Sequence, residues 1–216
     1  NLNNKTAIVS GSGNVAQFAI EKCIELGIKV ITASDSSGYI IDESGFDKEK
    51  LDYLKELKNN KRGRIKEYAD KYNVEYKKGN VWGNIKGYIA LPCATQNEID
   101  KDSASKMQDT KYVIEGANMP TTLDAINVFE KNKTIFIPGK ASNAGGVAVS
   151  GLEMSQNSIR QSWSREEVDK KLKDIIKDIH NACVKSGIKK KKVNYVKGAN
   201  IAGFKKVANA MVQLGV

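Results

Sequence analysis

Lys5-Thr6-Ala7-Ile8-Val9-Ser10-Gly11-Ser12-Gly13-Asn14-Val15-Ala16, running on through Gln17 to Leu26, is the stretch whose reading decides the fold. Thr6 to Val9 is a short apolar run rich in β-branched residues, which predicts a buried strand. After Gly13 apolar residues fall at Ala16, Ala19, Ile20, Cys23 and Leu26, with Gln17, Glu21, Lys22 and Glu25 on the other side. That spacing predicts an amphipathic helix, and Gly27 supplies its C-cap. Between strand and helix lies Gly11-x-Gly13-x-x-Ala16, the small-residue turn that carries a dinucleotide pyrophosphate. Gly11 permits the tight turn, Gly13 lets a phosphate approach the backbone, and Ala16 lets the helix pack close to the strand. The free N–H groups and positive dipole end of the helix suit an anion.

Working outward, 216 residues give one large domain or a domain and a half. A hydrophobic content of 40% with only three prolines suits a globular α/β protein. No apolar run approaches the ~20 residues that span a bilayer, and no signal peptide is expected. The three cysteines, Cys23, Cys93 and Cys183, are widely spaced and form no metal-like cluster, so a reducing cytoplasm is the expected setting and no metal is expected. The single histidine, His180, is read as helix surface or core edge rather than as a catalyst. The net charge of +10 raises nucleic-acid binding. However, the lysines are spread over helix faces apart from Lys189 to Lys192, read as a solvated loop, and no aromatic residues interleave with them. The charge is therefore assigned to solubility and attraction for anionic ligands. With no initiator Met, and a first strand only a few residues in, the chain is expected to be a piece of a longer protein.

Lys29 to Asp35 predicts a second strand, with Asp35 24 residues after Gly11. An acid there accepts from a ribose 2′-OH and favours NAD. Ser36 and Ser37, with Lys58, Lys61, Arg62 and Arg64, offer hydroxyls and cations to a 2′-phosphate, so the residues alone leave NAD and NADP open. Tyr39 to Asp42 reads as a hairpin arm, Asp47 as the cap of a helix to about Asn59, and Arg64 to Tyr72 as another helix. Tyr88–Leu91, Tyr112–Glu115 and Thr134–Ile137 read as further strands, and Thr121 as a helix cap. Polar loops at 94–97, 116–120 and 139–147 leave those strands where ligands bind in such sheets. From Val147 on, all is helix: one opened by the capping box Ser164-Arg165-Glu166-Glu167, another from about Asn200 to Leu214. The expected fold is α/β, a Rossmann-like doubly wound, mostly parallel sheet over 1–147, with a C-terminal helical segment over 148–216 packed on it.

Five long motifs carry a resemblance: Ser10 to Ala16, Ala33 to Gly38, Leu91 to Glu98, Glu115 to Thr122, and Asn143 to Met154. With Asn194 to Gly203, they resemble the cofactor-binding domain and C-terminal helices of the hexameric glutamate dehydrogenases. The resemblance implies reversible oxidative deamination of L-glutamate to 2-oxoglutarate and ammonium with NADP(H), in a cytoplasmic homo-hexamer, with no nucleic-acid or membrane partner. It implies that Gly11, Gly13 and Ala16 hold the pyrophosphate, with Ser12, Asn14 and Val15 completing the turn. Asp35, Ser36 and Lys58 would lie at the adenosine end. The Asp35-Ser36-Ser37 version is similar to the NADP-preferring branch, in which Ser36 and Lys58 meet the 2′-phosphate. Ala94, Thr95 and Asn118 would lie near the nicotinamide, Asn143 would border the same cleft, and Val147 and Ser150 would meet the substrate side chain. The family's catalytic lysine and aspartate are expected in an N-terminal domain absent here, so no catalytic residue is assigned to this chain and cofactor binding without turnover is expected of it. The alternatives are an NAD-dependent glutamate dehydrogenase, a leucine- or phenylalanine-type amino-acid dehydrogenase, and a non-catalytic nucleotide-binding module.

Overall fold

A computed structural model of the protein describes residues 2–190 and 192–215. The chain divides into two compact units, Asn1–Phe136 and Ile137–Val216. The first is organised by strand β1 (Thr6–Val9), in which Ala7, Ile8 and Val9 are buried. Helix α1 (Asn14–Glu25) follows at once and lays Ala16, Ile20 and Cys23 inward. Gln17 is buried as well, although its polarity assigns it to the other side; its position three residues before Ile20 puts it on the inner face, and its amide finds partners there.

The predicted strand Lys29 to Asp35 is two strands. β2 (Lys29–Val30) pairs in parallel with β1 through Thr6↔Lys29 and Ala7↔Val30. β3 (Thr32–Asp35) then turns into a separate antiparallel sheet with β4 (Gly38–Ile41) and β5 (Glu75–Lys78), in the order β3-β4-β5. Side chains replace the lost ladder. The Val9 N–H donates to Thr32 Oγ1, which donates back to the Val9 carbonyl, both at 2.9 Å. Helix α2 (Lys48–Lys55), capped by Asp47, runs into a π-turn at Glu56–Asn60, and α3 (Ile65–Tyr72) follows. Leu51, Leu54, Leu57, Ile65 and Tyr68 from this segment share one core with Val9, Val30 and Ile40. Beside it the buried Asp42 carboxylate accepts from Lys50 Nζ at 2.7 Å, the Tyr68 hydroxyl at 3.1 Å and the Ser44 hydroxyl at 2.5 Å.

On the other side of β1 lies β6 (Ile89–Leu91), with Val9 paired in parallel to Leu91. Helix α4 (Lys101–Lys106), β7 (Tyr112–Ile114), α5 (Leu123–Lys131) and β8 (Ile135–Ile137) complete the unit's elements; the main sheet runs β2-β1-β6-β7-β8. The cap of α5 is Thr122, not Thr121: Thr122 Oγ1 accepts from the Ala125 N–H, while the Thr121 N–H donates to the buried Glu115.

In the second unit, the loop expected at 139–147 is largely helical: α6 (Gly139–Ser142) and α7 (Gly145–Ile159), where consecutive small residues wind easily into helix. The Ser164 capping box opens α8 (Arg165–Gly187) as expected. The lysine run is not a plain loop: β9 (Ile188–Lys189) and β10 (Lys192–Val193) form a short antiparallel pair, Lys191 lying outside the described residues. Helix α9 (Tyr195–Leu214) starts earlier than Asn200 because Asn194 caps it, Oδ1 accepting from the Lys197 N–H at 2.8 Å. Exposed His180 sits on α8 with its ring 5.8 Å from that of Tyr195.

Candidate functional site

In the first unit the strand order reverses at β1: the chain goes first to β2 on one side, then to β6 on the other. Ligands in open parallel sheets bind at such a switch point, outside the carboxyl ends of the strands. Gly11 sits there with φ +82°, and a Cβ on it would lie 3.0 Å from the Cys93 carbonyl oxygen. Only glycine meets both demands, the left-handed backbone and the close approach to the loop after β6. The turn is strapped on both flanks. The Gly11 N–H donates to Ser34 Oγ at 2.7 Å, and the Cys93 N–H to Ser10 Oγ at 2.9 Å. The buried Gln17 Nε2 donates to the Ser12 carbonyl at 2.8 Å and to Asn59 Oδ1 at 3.0 Å.

Gly13 is different. A Cβ there would meet nothing within 4 Å, so this glycine is not required by the protein's own packing. It is the N-cap of α1, no side chain caps the helix start, and its first turn carries no acid. Gly13, Asn14 and Val15 are exposed, while Ser12 and Ala16 are buried beneath them. This open cradle at a helix start is the shape and polarity that an anionic pyrophosphate fits.

At the end of β3 the Asp35 carboxylate is turned into the protein. One oxygen accepts from the Ser37 N–H and the other from the Ile65 N–H at the start of α3, each at 2.8 Å; Lys58 Nζ stands 3.6 Å from the latter. Partial burial works against its charge. These two N–H groups, with Lys58 and Arg64, outweigh it and hold the carboxyl below its ordinary range. Lys58 also donates to the Gly63 carbonyl at 2.8 Å. Exposed Ser36 accepts from Arg64 Nη1 at 3.0 Å, so the structure pairs Ser36 with Arg64, one of the cations weighed for a 2′-phosphate. The signal for Arg64 was its place at the cap of α3, the helix that folds back on β3.

The loops after β6 and β7 are zipped together. The Gly116 and Ala117 N–H groups donate to the Pro92 carbonyl, the Asn97 N–H to Met119 and the Ile99 N–H to Pro120, all at 2.9–3.0 Å. This places Ala94 and Thr95 on one exposed loop and Asn118 on its neighbour, with the Gly11 turn against Cys93 and Ala94. Glu98 pins the first loop: Oε1 accepts from the Ala94 N–H at 3.0 Å and the Thr95 N–H at 3.3 Å, and Oε2 from Trp82 Nε1 at 2.7 Å. Sequence reading had not singled out Glu98 or Trp82. Asn143, Val147 and Ser150 belong to the second unit. Asn143 follows α6, its N–H donating to the Gly139 carbonyl at 2.8 Å, and Val147 and Ser150 lie three residues apart on exposed α7, on one face.

A parallel sheet with a glycine turn at its switch point and an uncapped helix start behind it defines a Rossmann-like α/β protein. The sequence model of the Glutamate/Leucine/Phenylalanine/Valine dehydrogenase family matches residues 1–215, and the chain belongs to that family. It is 58% identical over 219 residues to the NAD(P)-specific glutamate dehydrogenase of Xylanibacter ruminicola, covering 100% of this chain and 49% of that protein. It is 55% identical over 210 residues to the NADP-specific glutamate dehydrogenase of Escherichia coli, covering 96% and 47%. Its structure resembles that of Plasmodium falciparum glutamate dehydrogenase, with a TM-score of 0.93 and 49% identity over 98% of this chain and 46% of that one. The chain thus spans about half the length of the curated relatives it matches.

Proposed function

We propose that this chain is the cofactor-binding part of an NADP(H)-dependent glutamate dehydrogenase, which interconverts L-glutamate with 2-oxoglutarate and ammonium. The observation that carries the cofactor reading is the division of labour at the end of β3. Asp35 is engaged by two backbone N–H groups, while Ser36 and Arg64 stand exposed as a hydroxyl–guanidinium pair. A carboxylate committed to capping α3 is a poor acceptor for a ribose hydroxyl, and a guanidinium beside a hydroxyl suits a phosphate dianion. The naming of the Escherichia coli relative as NADP-specific supports the same reading.

In this reading Gly11, Ser12, Gly13, Asn14, Val15 and Ala16 hold the pyrophosphate, and Ser36, Arg64 and Lys58 the 2′-phosphate, with Asp35 orienting them. Ala94, Thr95 and Asn118 take the nicotinamide half. When bound, the nicotinamide exchanges hydride with the α-carbon of the substrate. Asn143 is assigned to the cofactor, and Val147 and Ser150 to the substrate, the Ser150 hydroxyl pairing its side-chain carboxylate. Such a hydroxyl would be left unpaired by an apolar amino acid, which disfavours leucine or phenylalanine. The proton chemistry is assigned to residues outside this chain, and the assembled protein to a cytoplasmic homo-hexamer. Among the described residues, no helix is long and apolar enough to cross a membrane.

Calorimetric titration of the chain with NADPH and with NADH tests the reading. NADPH is expected to bind more tightly, and Arg64→Ala or Ser36→Ala to weaken NADPH by about tenfold or more, as expected for losing a hydrogen bond to a charged group, while leaving NADH unchanged. Equal losses for both dinucleotides would return the site to Asp35 and to NAD.

A further inference from the structure

We propose that Glu98 is a positioning residue for the half of the dinucleotide that lies beyond the glycine turn; this rests on the nucleotide reading above. A dinucleotide laid across a switch point puts its two nucleosides on opposite sides of the first strand. The Ser36–Arg64 pair follows β3, on the β2 side of β1, and claims the adenosine end there. The redox nucleoside then falls over the loops after β6 and β7. Their exposed residues Ala94 to Asn97 are surface chain with no core of their own, so something else must fix their path. Glu98 does so from behind. Its carboxylate accepts three N–H groups, those of Ala94, Thr95 and the indole of Trp82, a side chain only 3% exposed, while its own carbonyl accepts from Asn80 Nδ2 at 2.7 Å. Buried Trp82 thus anchors a carboxylate, and the carboxylate anchors two successive amides of the loop that the redox nucleoside meets. Three donors need an acceptor on both oxygens. Glutamine offers one acceptor oxygen and would set its own N–H₂ against at least one of the three donors. Glu98 touches no ligand in this account; it acts through the Ala94–Thr95 backbone.

The test is to titrate wild type, Glu98→Gln and Trp82→Phe with NADPH and with adenosine 2′,5′-bisphosphate, which carries the phosphorylated adenosine end and no nicotinamide. Glu98→Gln is expected to weaken NADPH about tenfold, as befits charge-assisted hydrogen bonds lost from a preorganised loop, and to leave the bisphosphate unchanged. Trp82→Phe keeps the ring and removes the indole donor, so it should act in the same direction by about threefold, since a single hydrogen bond is lost. If Glu98→Gln does not fold, the Trp82→Phe comparison decides. Equal weakening of both ligands, or of neither, would overturn the role of Glu98 while leaving the nucleotide reading standing. A wild-type chain that binds neither ligand would overturn that reading itself, and the inference with it.

Discussion

Helices α3 and α9 hold their places by different means. The eight residues of α3 bury Ile65, Tyr68 and Ala69 against the core of the first unit, and Tyr68 adds a hydrogen bond to a buried carboxylate. The twenty residues of α9 bury only Gly198, while Phe204 is 73% exposed and Val212 79%. What α9 has instead is backbone proximity: a Cβ on Gly198 would collide with the Cys183 carbonyl of α8. One region is held by apolar volume and a polar network, the other by the absence of a side chain. The stability of the first should therefore respond to lost atoms and to pH, that of the second to added atoms.

The largest effect is expected at Asp42, on the first side of the comparison. Burial pushes its carboxyl up, but the hydrogen bonds from Lys50 and Ser44, the Lys50 charge and the Tyr68 hydroxyl bring it below its ordinary value. A lowered folded-state value means that its contribution is in full force above about pH 4, the unfolded value, and is lost as pH falls through the folded one. Asp42→Ala leaves the buried Tyr68 hydroxyl without its acceptor and Lys50 with only Ser44 Oγ and the Gly45 carbonyl, and should cost about 3 kcal/mol at pH 7. Urea midpoints measured from pH 7 down to 2 should fall in the wild type and fall less steeply in Asp42→Asn. Parallel curves would mean that the charge on Asp42 contributes nothing to stability over this range.

Gly198→Ala sharpens the other side. Alanine is the better helix former by about 1 kcal/mol, so on propensity alone the change should stabilise α9. The clash with the backbone of α8 should reverse the sign, at a net cost of about 1–3 kcal/mol, the usual range for overpacking a tight contact. Gly203→Ala on the same helix is the control: nothing lies within 4 Å of its Cβ, and it should stabilise by up to about 1 kcal/mol. Thermal melts of the two variants with opposite signs would establish close approach, rather than apolar burial, as what joins α8 to α9.

How far this was legible follows from the same contrast. The β1–turn–α1 unit could be read because its signals are local: an apolar run, two glycines, a helical period. The uncapped start of α1 and the positive φ at Gly11 follow directly from them. The split between β2 and β3 was hidden because Thr32 and Ser34, ordinary strand residues, satisfy the backbone of Val9 and of Gly11 with their side chains across 23 positions. Strand β5, Glu75-Tyr76-Lys77-Lys78, has no apolar alternation and exists because β4 offers it an edge. At the site, the position of Asp35 was legible by its distance from Gly11, but its inward turn was not, since that depends on α3 arriving to present the Ile65 N–H. Glu98 lay inside a recognised motif, but its hydrogen bond from Trp82, 16 residues away, was not legible there. The apolar residues Phe204, Val207, Met211 and Val212 mark a face along α9, but a run of apolar positions carries no information about what covers it.

The smallest expected effect tests that last point. Phe204→Ser removes an exposed ring from mid-helix, and the two residues have similar helix propensity. If Phe204 lies open to water, nothing is lost but a solvent-facing apolar surface, and stability should change by less than about 0.5 kcal/mol, or under about 2 °C in melting temperature for a chain of this size. Melting at two protein concentrations separates the alternatives. A change of that small size, independent of concentration, keeps the contrast between α3 and α9 intact. A loss of about 1 kcal/mol or more that grows with concentration would mean that a second copy of the chain covers this face in solution; α9 would then, like α3, be held by buried apolar volume, and the distinction between the two regions would vanish.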